Sequence, residues 1–260
     1  MDRSPTSALL LVFAVTVLVS LTGCGRKTPP LPPEAVTAAP VRDLTARLHA
    51  GGVTLTWSFP RRTVTGERLT AISTFEVFRA VQPADNACAR CPLPFKLRQV
   101  VEGGPLPARI LPRQASFDDA ALRPGFRYSY KVRARTGPFA VSGDSNIFSF
   151  VWRTPPAAPR SLTATAEDGA VRLRWLPPAT LLDGRPTPSD LLYRVERMET
   201  TGYRALGPPT AATSFTDLRI RSGATYRYRV RALRPTDNGL FIAGLASAPA
   251  TVTAEAPSEP

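Results

Sequence analysis

An internal repeat is the sequence feature that most restricts how this chain can fold. Three segments recur at a spacing of 118 residues, and two more recur at a spacing of 98 residues. The matched pairs are 41–46 with 159–164, 52–57 with 170–175, 75–79 with 193–197, 116–119 with 214–217, and 122–134 with 220–232. Because self-similarity of this kind marks a repeated structural unit, we predict two copies of one domain. The fall in spacing from 118 to 98 places 20 additional residues in the first copy, within about 80–113.

Each copy alternates apolar and polar residues with a period of two. Leu173 and Trp175 fall on one side of a segment whose other side carries Arg172 and Arg174, and Trp57 matches Trp175 in the first copy. Such alternation, bounded by Pro and Gly, predicts half-buried antiparallel strands with both tryptophans in the core. The 28 prolines in 260 residues disfavour long helices, because an interior proline costs a helix ~3 kcal/mol. The sequence therefore predicts an all-β chain of two tandem antiparallel β-sandwiches.

The two copies resemble tandem fibronectin type III domains, which are immunoglobulin-like sandwiches. The resemblance is carried by the Leu/Ala opening segment, the tryptophan of the second strand, and Leu-x-Pro-Gly-x-x-Tyr at 122–128. In that family the tyrosine closes a corner by hydrogen-bonding back across the turn, which assigns this role to Tyr128 and Tyr226. The second copy has Ile220 and Ser222 in place of the Leu and Pro of the motif.

These features divide the chain into six segments. They are a signal peptide at 1–23, a tether at 24–40, domain 1 at 41–154, a linker at 155–157, domain 2 at 158–255 and a tail at 256–260. The prolines around the linker favour a restricted, rod-like arrangement of the two domains. The five prolines within 25–40 predict a semi-stiff tether.

The N-terminus is typical of a secretion signal. A charged start precedes an uncharged run at 8–21, which is shorter than the ~20 residues that a membrane-spanning helix needs. The run ends in Leu-Thr-Gly-Cys at 21–24, which resembles the bacterial lipobox. The resemblance implies cleavage before Cys24 and a covalent lipid, such as palmitate, on that cysteine; an uncleaved N-terminal helix is the alternative. Gly25 favours the outer membrane by the same resemblance, so we expect anchoring on its periplasmic face.

Two cysteines, Cys88 and Cys91, lie within the insertion. A thioredoxin-like redox pair would need the first cysteine at a helix N-terminus, and no helix signal is present. A zinc site would lack its other two ligands. With Cys24 lipidated, the remaining two form an even pair in an oxidising compartment. We predict a disulfide between them, with redox activity, an intermolecular metal site and free thiols as the alternatives.

The sequence offers little for catalysis. His49 is the only histidine of the chain, it falls in a predicted solvated turn, and no Gly-x-Ser-x-Gly surrounds any serine. Asp118 and Asp119 fit a turn after a strand, with a calcium site as the alternative reading. We therefore predict no enzymatic activity, no cofactor beyond the lipid, no metal site and no small-molecule substrate.

Basic residues line the predicted solvent faces of matching strands in a chain of net charge +13. They are Arg127, Lys131 and Arg133 in the first copy and Arg227, Arg229 and Arg231 in the second. They fit an anionic envelope component; cross-strand pairing with glutamates and the arginine bias of a GC-rich genome are the alternatives. Phe139 and Phe241, in loops at 136–143 and 235–244, are candidate apolar anchors unless they fold back onto the sandwich.

These observations predict a non-catalytic, lipid-anchored protein of the cell envelope. Its two domains would serve binding or structural spacing, with the membrane and an unknown envelope protein or anionic envelope component as partners. A lipidated envelope protein does not meet nucleic acid, so we exclude that partner. The alternative function is an accessory or substrate-binding module of an envelope enzyme or assembly complex.

Overall fold

Strands make up nearly all of the regular structure, as the alternating pattern predicts. The structure is a computed structural model, and it describes residues 33–85, 91–107 and 113–254. These residues contain one helical turn, α1 (Pro33–Val36), and none of their helices is long and apolar enough to span a membrane. The predicted class, an all-β chain of antiparallel sandwiches, is confirmed. The signal peptide, Cys24 and Cys88 lie outside the described residues.

The described residues of the first copy form seven strands in two sheets. They are β1 (Thr45–His49), β2 (Gly52–Ser58), β3 (Ala71–Pro83), β4 (Lys96–Pro105), β5 (Gln114–Asp119), β6 (Phe126–Arg135) and β7 (Phe148–Val151). β1, β2 and β5 form one layer, and the other has the order β4-β3-β6-β7. The insertion extends this second layer, because β3 runs to Pro83 and pairs with β4 over Ala71 to Arg79.

The second copy repeats this arrangement. They are β8 (Arg160–Glu167), β9 (Ala170–Leu176), β10 (Leu192–Glu199), β11 (Gly202–Ala205), β12 (Ser214–Asp217), β13 (Thr225–Pro235), β14 (Phe241–Ala246) and β15 (Ala250–Thr253). One layer has the order β12-β9-β8. The other has the order β11-β10-β13-β14, with β15 also paired to β13.

Each copy has its own hydrophobic core. Trp57 is 0% exposed in the first core and Trp175 is 4% exposed in the second. Both tryptophans pack edge-on against an aromatic ring of the facing layer, Phe75 at 5.5 Å between ring centroids and Tyr193 at 5.6 Å. Such contacts add about 0.5–1.5 kcal/mol to the burial of the rings themselves.

One strand of the second copy joins the sheet of the first. β14 pairs with β1 in parallel, with Leu48 opposite Ile242 and His49 opposite Ala243. The pairing makes one continuous sheet in the order β11-β10-β13-β14-β1-β2-β5. Ile242 is fully buried, and it belongs to the core of the first copy. The pairing joins the end of β1 to the start of β14, so the two sandwiches meet at these strand ends, which agrees with the restricted arrangement predicted from the linker.

The linker reinforces this joint. The carbonyl oxygen of Pro156 accepts a hydrogen bond from the backbone N–H of Leu245 at 3.3 Å. Gly244 permits this close approach, since a Cβ atom at this position would lie 2.4 Å from the same oxygen. Arg234 Nη1 donates to the carbonyl oxygen of Thr154 at 2.8 Å. The linker thus packs along the second sandwich instead of spanning a gap.

The first sandwich begins before residue 41. Ala38 is fully buried in its core, and it forms an isolated bridge with Thr63. The backbone N–H of Ala39 donates to Arg62 O at 2.9 Å, and that of Val64 donates to Thr37 O at 3.0 Å. The segment 33–40 was predicted as tether, but burial of Ala38 and these hydrogen bonds attach it to the domain.

Candidate functional site

A basic cleft lies where the two copies join. It has a volume of about 580 Å³ and lies between β1 with its following turn on one side and β10, β11 and β13 on the other. The register places Ala243 beside His49 on the cleft side of β14, because residues Leu48 and Ile242 point to the opposite face, into the core. A small side chain in the middle of the joined sheet leaves room for the cleft between longer side chains.

Four arginines and one glutamate supply the charge of this cleft. They are Arg47, Arg194, Arg229, Arg231 and Glu196. Arg194 lies directly opposite Arg231 in the pairing of β10 with β13, and Glu196 lies opposite Arg229. Since side chains of directly opposed residues share one sheet face, the joined sheet collects these charges on one surface.

The glutamate is committed to two of the arginines. Glu196 is 8% exposed, and its Oε2 accepts a hydrogen bond from Arg229 Nε at 2.6 Å. Arg231 Nε lies 3.5 Å from the same oxygen, while Arg231 Nη1 donates to Gly244 O at 3.0 Å. The Arg229 guanidinium also stacks 3.7 Å from the centroid of the Tyr203 ring. These contacts hold Arg229 and Arg231 in place, and they are the cross-strand pairing anticipated as an alternative.

Arg47 and Arg194 differ from Arg229 and Arg231 in their ionic partners. Within residues 33–85, 91–107 and 113–254, neither side chain forms an ion pair with a carboxylate. Arg47 is exposed on β1, and Arg194 is half-buried on β10. The two copies therefore each contribute one uncompensated guanidinium to the same cleft.

His49 also lines the cleft, and it is half-buried at the end of β1. The expectation of a solvated turn histidine is therefore wrong. Its Nδ1 accepts a hydrogen bond from the Gly51 N–H at 3.2 Å, and its Nε2 lies 3.1 Å from Thr54 Oγ1. The Thr54 hydroxyl donates to Asp118 Oδ1 at 2.5 Å. A nucleophilic hydroxyl would instead donate to the imidazole, so this chain of bonds fixes the β1–β2 turn and is not arranged for nucleophilic catalysis.

The basic face of the first copy is compensated. Asp144 accepts hydrogen bonds from Lys131 Nζ at 2.7 Å and from Arg133 Nε at 2.5 Å. The hydrogen bond from Arg133 is the largest of the influences that lower the pKa of Asp144. The Lys131 side chain is 13% exposed, and its Nζ lies 4.5 Å from the ring centroid of Phe95. The prediction that Lys131 projects into solvent is wrong, because residues of the insertion cover it.

The remaining candidate residues lie in three different environments. Arg127 pairs with Asp237 of the second copy at 2.5 Å. Arg227 is exposed, and it forms no ion pair within the described part of the chain. Phe139 is 95% exposed. Phe241 is half-buried at the start of β14 and lines the cleft, so it belongs to the joint and not to a free loop tip.

Both tyrosines assigned to corners accept hydrogen bonds there. The backbone N–H of Arg123 donates to Tyr128 Oη at 2.7 Å, and that of Arg221 donates to Tyr226 Oη at 2.7 Å. Each bond returns across five residues of the turn before β6 or β13. The device stabilises the sandwiches and takes no part in the cleft.

Asp119, which the sequence assigned to a turn after a strand, is instead a buried carboxylate at the end of β5. Asp119 is 1% exposed, and it pairs with Arg79 at 2.8 Å and Arg98 at 3.1 Å. The Tyr130 hydroxyl donates to it at 3.0 Å. Burial opposes ionisation of Asp119, but the hydrogen bond from Arg98 and its other partners hold the pKa below its usual value.

The second copy repeats this arrangement with one arginine fewer. Asp217 pairs with Arg197 at 2.7 Å and accepts from Tyr228 Oη at 3.0 Å. Burial first, then the neighbouring carboxylate, raises the pKa of Tyr228. The internal repeat could have indicated this site, because the aspartate, the tyrosine and one arginine each recur in the second copy at the spacing of their segment.

Cys91 is disulfide-bonded. Its predicted partner, Cys88, lies outside the described residues, so the pairing stays a prediction. No group of three or more His, Cys, Asp or Glu within 33–85, 91–107 and 113–254 is placed to hold a metal ion.

No family model matches the chain. Among solved structures, it is similar to the FN1–FN3 domains of chicken CNTN1, with 13% identity, a TM-score of 0.39, and coverage of 84% of this chain and 69% of that one. It is also similar to an Fn3-like protein from Clostridium thermocellum, with 24% identity, a TM-score of 0.29, and coverage of 41% of this chain and 99% of that one. Its structural neighbours are thus fibronectin type III domain proteins.

Proposed function

We propose that this chain is a non-catalytic, lipid-anchored protein of the bacterial cell envelope that presents its two sandwiches as one binding surface. The observation that carries the proposal is the parallel pairing of β14 with β1. A flexible spacer would not need strands shared between its domains. A joined sheet holds side chains of both copies in a constant relation, which reduces the ordering cost of binding a partner across them.

The position of the N-terminal segment supports anchoring through the first copy. Eight residues separate Cys24 from Pro33, and a segment of that length cannot span more than about 30 Å. The Thr136 hydroxyl donates to Val36 O at 2.6 Å, so the entering chain lies beside the loop that carries Phe139. A lipid on Cys24 would keep this loop close to the bilayer.

Exposed apolar residues at this end of the first copy agree with a nearby membrane. Val36 is 37% exposed, Val64 is 50% exposed and Phe139 is 95% exposed. Backbone and side-chain hydrogen bonds connect the three segments that carry them. Aromatic and aliphatic side chains gain free energy in the interfacial region of a bilayer, and this adds to the hold of a lipid anchor.

Lipidation is tested by labelling cells with a palmitate analogue and comparing the full chain with the Cys24→Ala variant. We expect label in the membrane fraction for the unmodified chain and no label for Cys24→Ala. The Thr28→Ala variant is the control, because it changes the segment after the cysteine without removing the thiol. Label retained by Cys24→Ala, or absent from both chains, would contradict the proposed anchor.

Binding is tested by co-sedimentation of the unlipidated Cys24→Ala chain with purified envelopes at increasing salt. Saturable binding that falls steeply with salt would identify an anionic component, because screening weakens exposed charge pairs. Salt-independent saturable binding would identify a partner held by apolar contacts. The absence of saturable binding would contradict the binding role.

A further inference from the structure

We propose that the cleft between the two copies is a binding site for a phosphate group, with Arg47 and Arg194 as its main ligands. The inference deepens the proposed function by naming the chemistry that the joined surface recognises. It rests on the non-catalytic binding role, but it does not depend on the lipid anchor. The proposal concerns binding only and involves no chemical step.

The charge of the cleft favours an anion. Its lining residues include four arginines against one glutamate. Glu196 is nearly buried and hydrogen-bonded to Arg229, so its charge is partly neutralised where it lies. An anion entering the cleft therefore meets an excess of positive charge.

The arrangement of the arginines favours phosphate in particular. Arg194 is placed opposite Arg231, and two like charges at directly opposed positions repel each other unless an anion lies between them. The Glu196 carboxylate compensates the charges of Arg229 and Arg231. Among the described residues, no carboxylate forms an ion pair with Arg194. Guanidinium groups bind phosphate oxygens through two parallel N–H bonds, and a doubly charged phosphate can accept from more than one arginine.

The site exists only in the joined molecule. Arg47 comes from β1 of the first copy, and Arg194 comes from β10 of the second, with two strands, β13 and β14, between them in the sheet order. The volume of about 580 Å³ leaves room for further atoms of a ligand attached to the phosphate. The phosphate of a lipid head group and that of a soluble phosphorylated molecule share this chemistry.

The test is calorimetric titration of the full chain with inorganic phosphate, compared among single substitutions. We expect saturable binding that Arg47→Gln and Arg194→Gln each weaken by about tenfold, as loss of a charge-assisted hydrogen bond does. Arg227→Gln is the matched control: it removes the same charge from the same sheet face, outside the cleft, and binding should not change. Thermal unfolding of each variant verifies that the fold is retained.

Vesicles identify the source of the phosphate. Sedimentation of the unlipidated Cys24→Ala chain with vesicles of phosphatidic acid in phosphatidylcholine, lost when Arg47→Gln or Arg194→Gln is added but not when Arg227→Gln is added, would support a lipid head group. Phosphate binding without vesicle binding at these residues would support a soluble ligand.

Three results would overturn the proposal. They are the absence of saturable binding of inorganic phosphate, an equal loss in Arg227→Gln, and binding of citrate as tight as that of phosphate. The second would show general charge attraction, and the third would show a carboxylate site. None of them bears on lipidation, because the palmitate label on Cys24 is measured separately.

Discussion

Asp237 of the second copy accepts a hydrogen bond from Arg127 of the first, with 2.5 Å between Oδ2 and Nη2. The other carboxylate oxygen of Asp237 accepts from the backbone N–H of Val151 at 3.3 Å. The next residue, Asn238, donates from Nδ2 to Ser149 O at 2.7 Å. The loop between β13 and β14 is therefore docked on β6 and β7, and Arg127 serves the joint between the sandwiches.

The first prediction concerns this ion pair and its dependence on pH. Burial opposes ionisation of Asp237, but the hydrogen bond from Arg127 and further partners leave its pKa lower than usual. A carboxylate whose pKa is lowered by folding contributes stability above its unfolded pKa of about 3.9, and loses that contribution as pH falls through the folded value. Because both side chains are about one-third exposed, we expect Asp237→Asn to cost at most about 1 kcal/mol at pH 7.

Urea unfolding of Asp237→Asn and the unmodified chain at pH 7 and at about pH 3 measures this difference. We expect the difference in unfolding free energy to shrink at the lower pH. Glu102→Gln is the control, since Glu102 is an exposed carboxylate on β4 without an ion pair among the described contacts. A difference that is the same at both pH values would exclude an ionic origin.

The second prediction concerns Ile242, which belongs to the second copy but fills the core of the first. Ile242→Ala should cost about 2–5 kcal/mol, because it leaves a cavity that the surroundings fill only partly. The loss should appear as faster hydrogen exchange in β2, which lies beside β1. Ile72→Ala, at a fully buried position of the first core, is the positive control. Exchange that accelerates in β13 alone would show that the two copies are not coupled.

The third prediction compares the two buried carboxylates. Removing one partner of a buried ion pair costs about 3–5 kcal/mol, because the remaining charge stays uncompensated. Asp119→Ala removes the carboxylate that pairs with both Arg79 and Arg98. Asp217→Ala removes a carboxylate that, among the described residues, pairs with Arg197 alone. Chemical denaturation should therefore show a larger loss for Asp119→Ala. Asp118→Ala, at the exposed neighbouring position, should cost less than either; equal losses at all three positions would contradict this ranking.

The fourth prediction concerns Phe139 and the membrane. Phe139→Ser, made in the unlipidated Cys24→Ala chain, should weaken vesicle binding by about tenfold, which corresponds to the transfer of one large apolar side chain. Its unfolding free energy should stay unchanged, because the side chain is 95% exposed. Leu218→Ser is matched in type and is 76% exposed in the second copy. Vesicle binding reduced equally by both substitutions would argue against a membrane-facing role for Phe139.

The sequence predicted what depends on residues close together along the chain. Trp57 and Trp175 were assigned to cores because alternation with a period of two places every second residue on one face. The corners at Tyr128 and Tyr226 span five residues, and their turn motif is local. The repeat extended each such inference from one copy to the other, so the fold class could be predicted without knowledge of any distant contact.

The cleft and the joint could not be predicted in this way. Leu48 lies opposite Ile242, and Arg127 contacts Asp237, across more than a hundred residues of chain. Apolar residues at 240–242 fit an exposed loop tip as well as a shared strand, because alternation states which side of a strand is apolar and not what covers it. The sequence likewise does not distinguish an arginine that forms an ion pair from one that does not. The pairing of β14 with β1 decides which apolar residues are buried and which arginines have ionic partners. Both properties depend on surfaces that only the folded chain brings together.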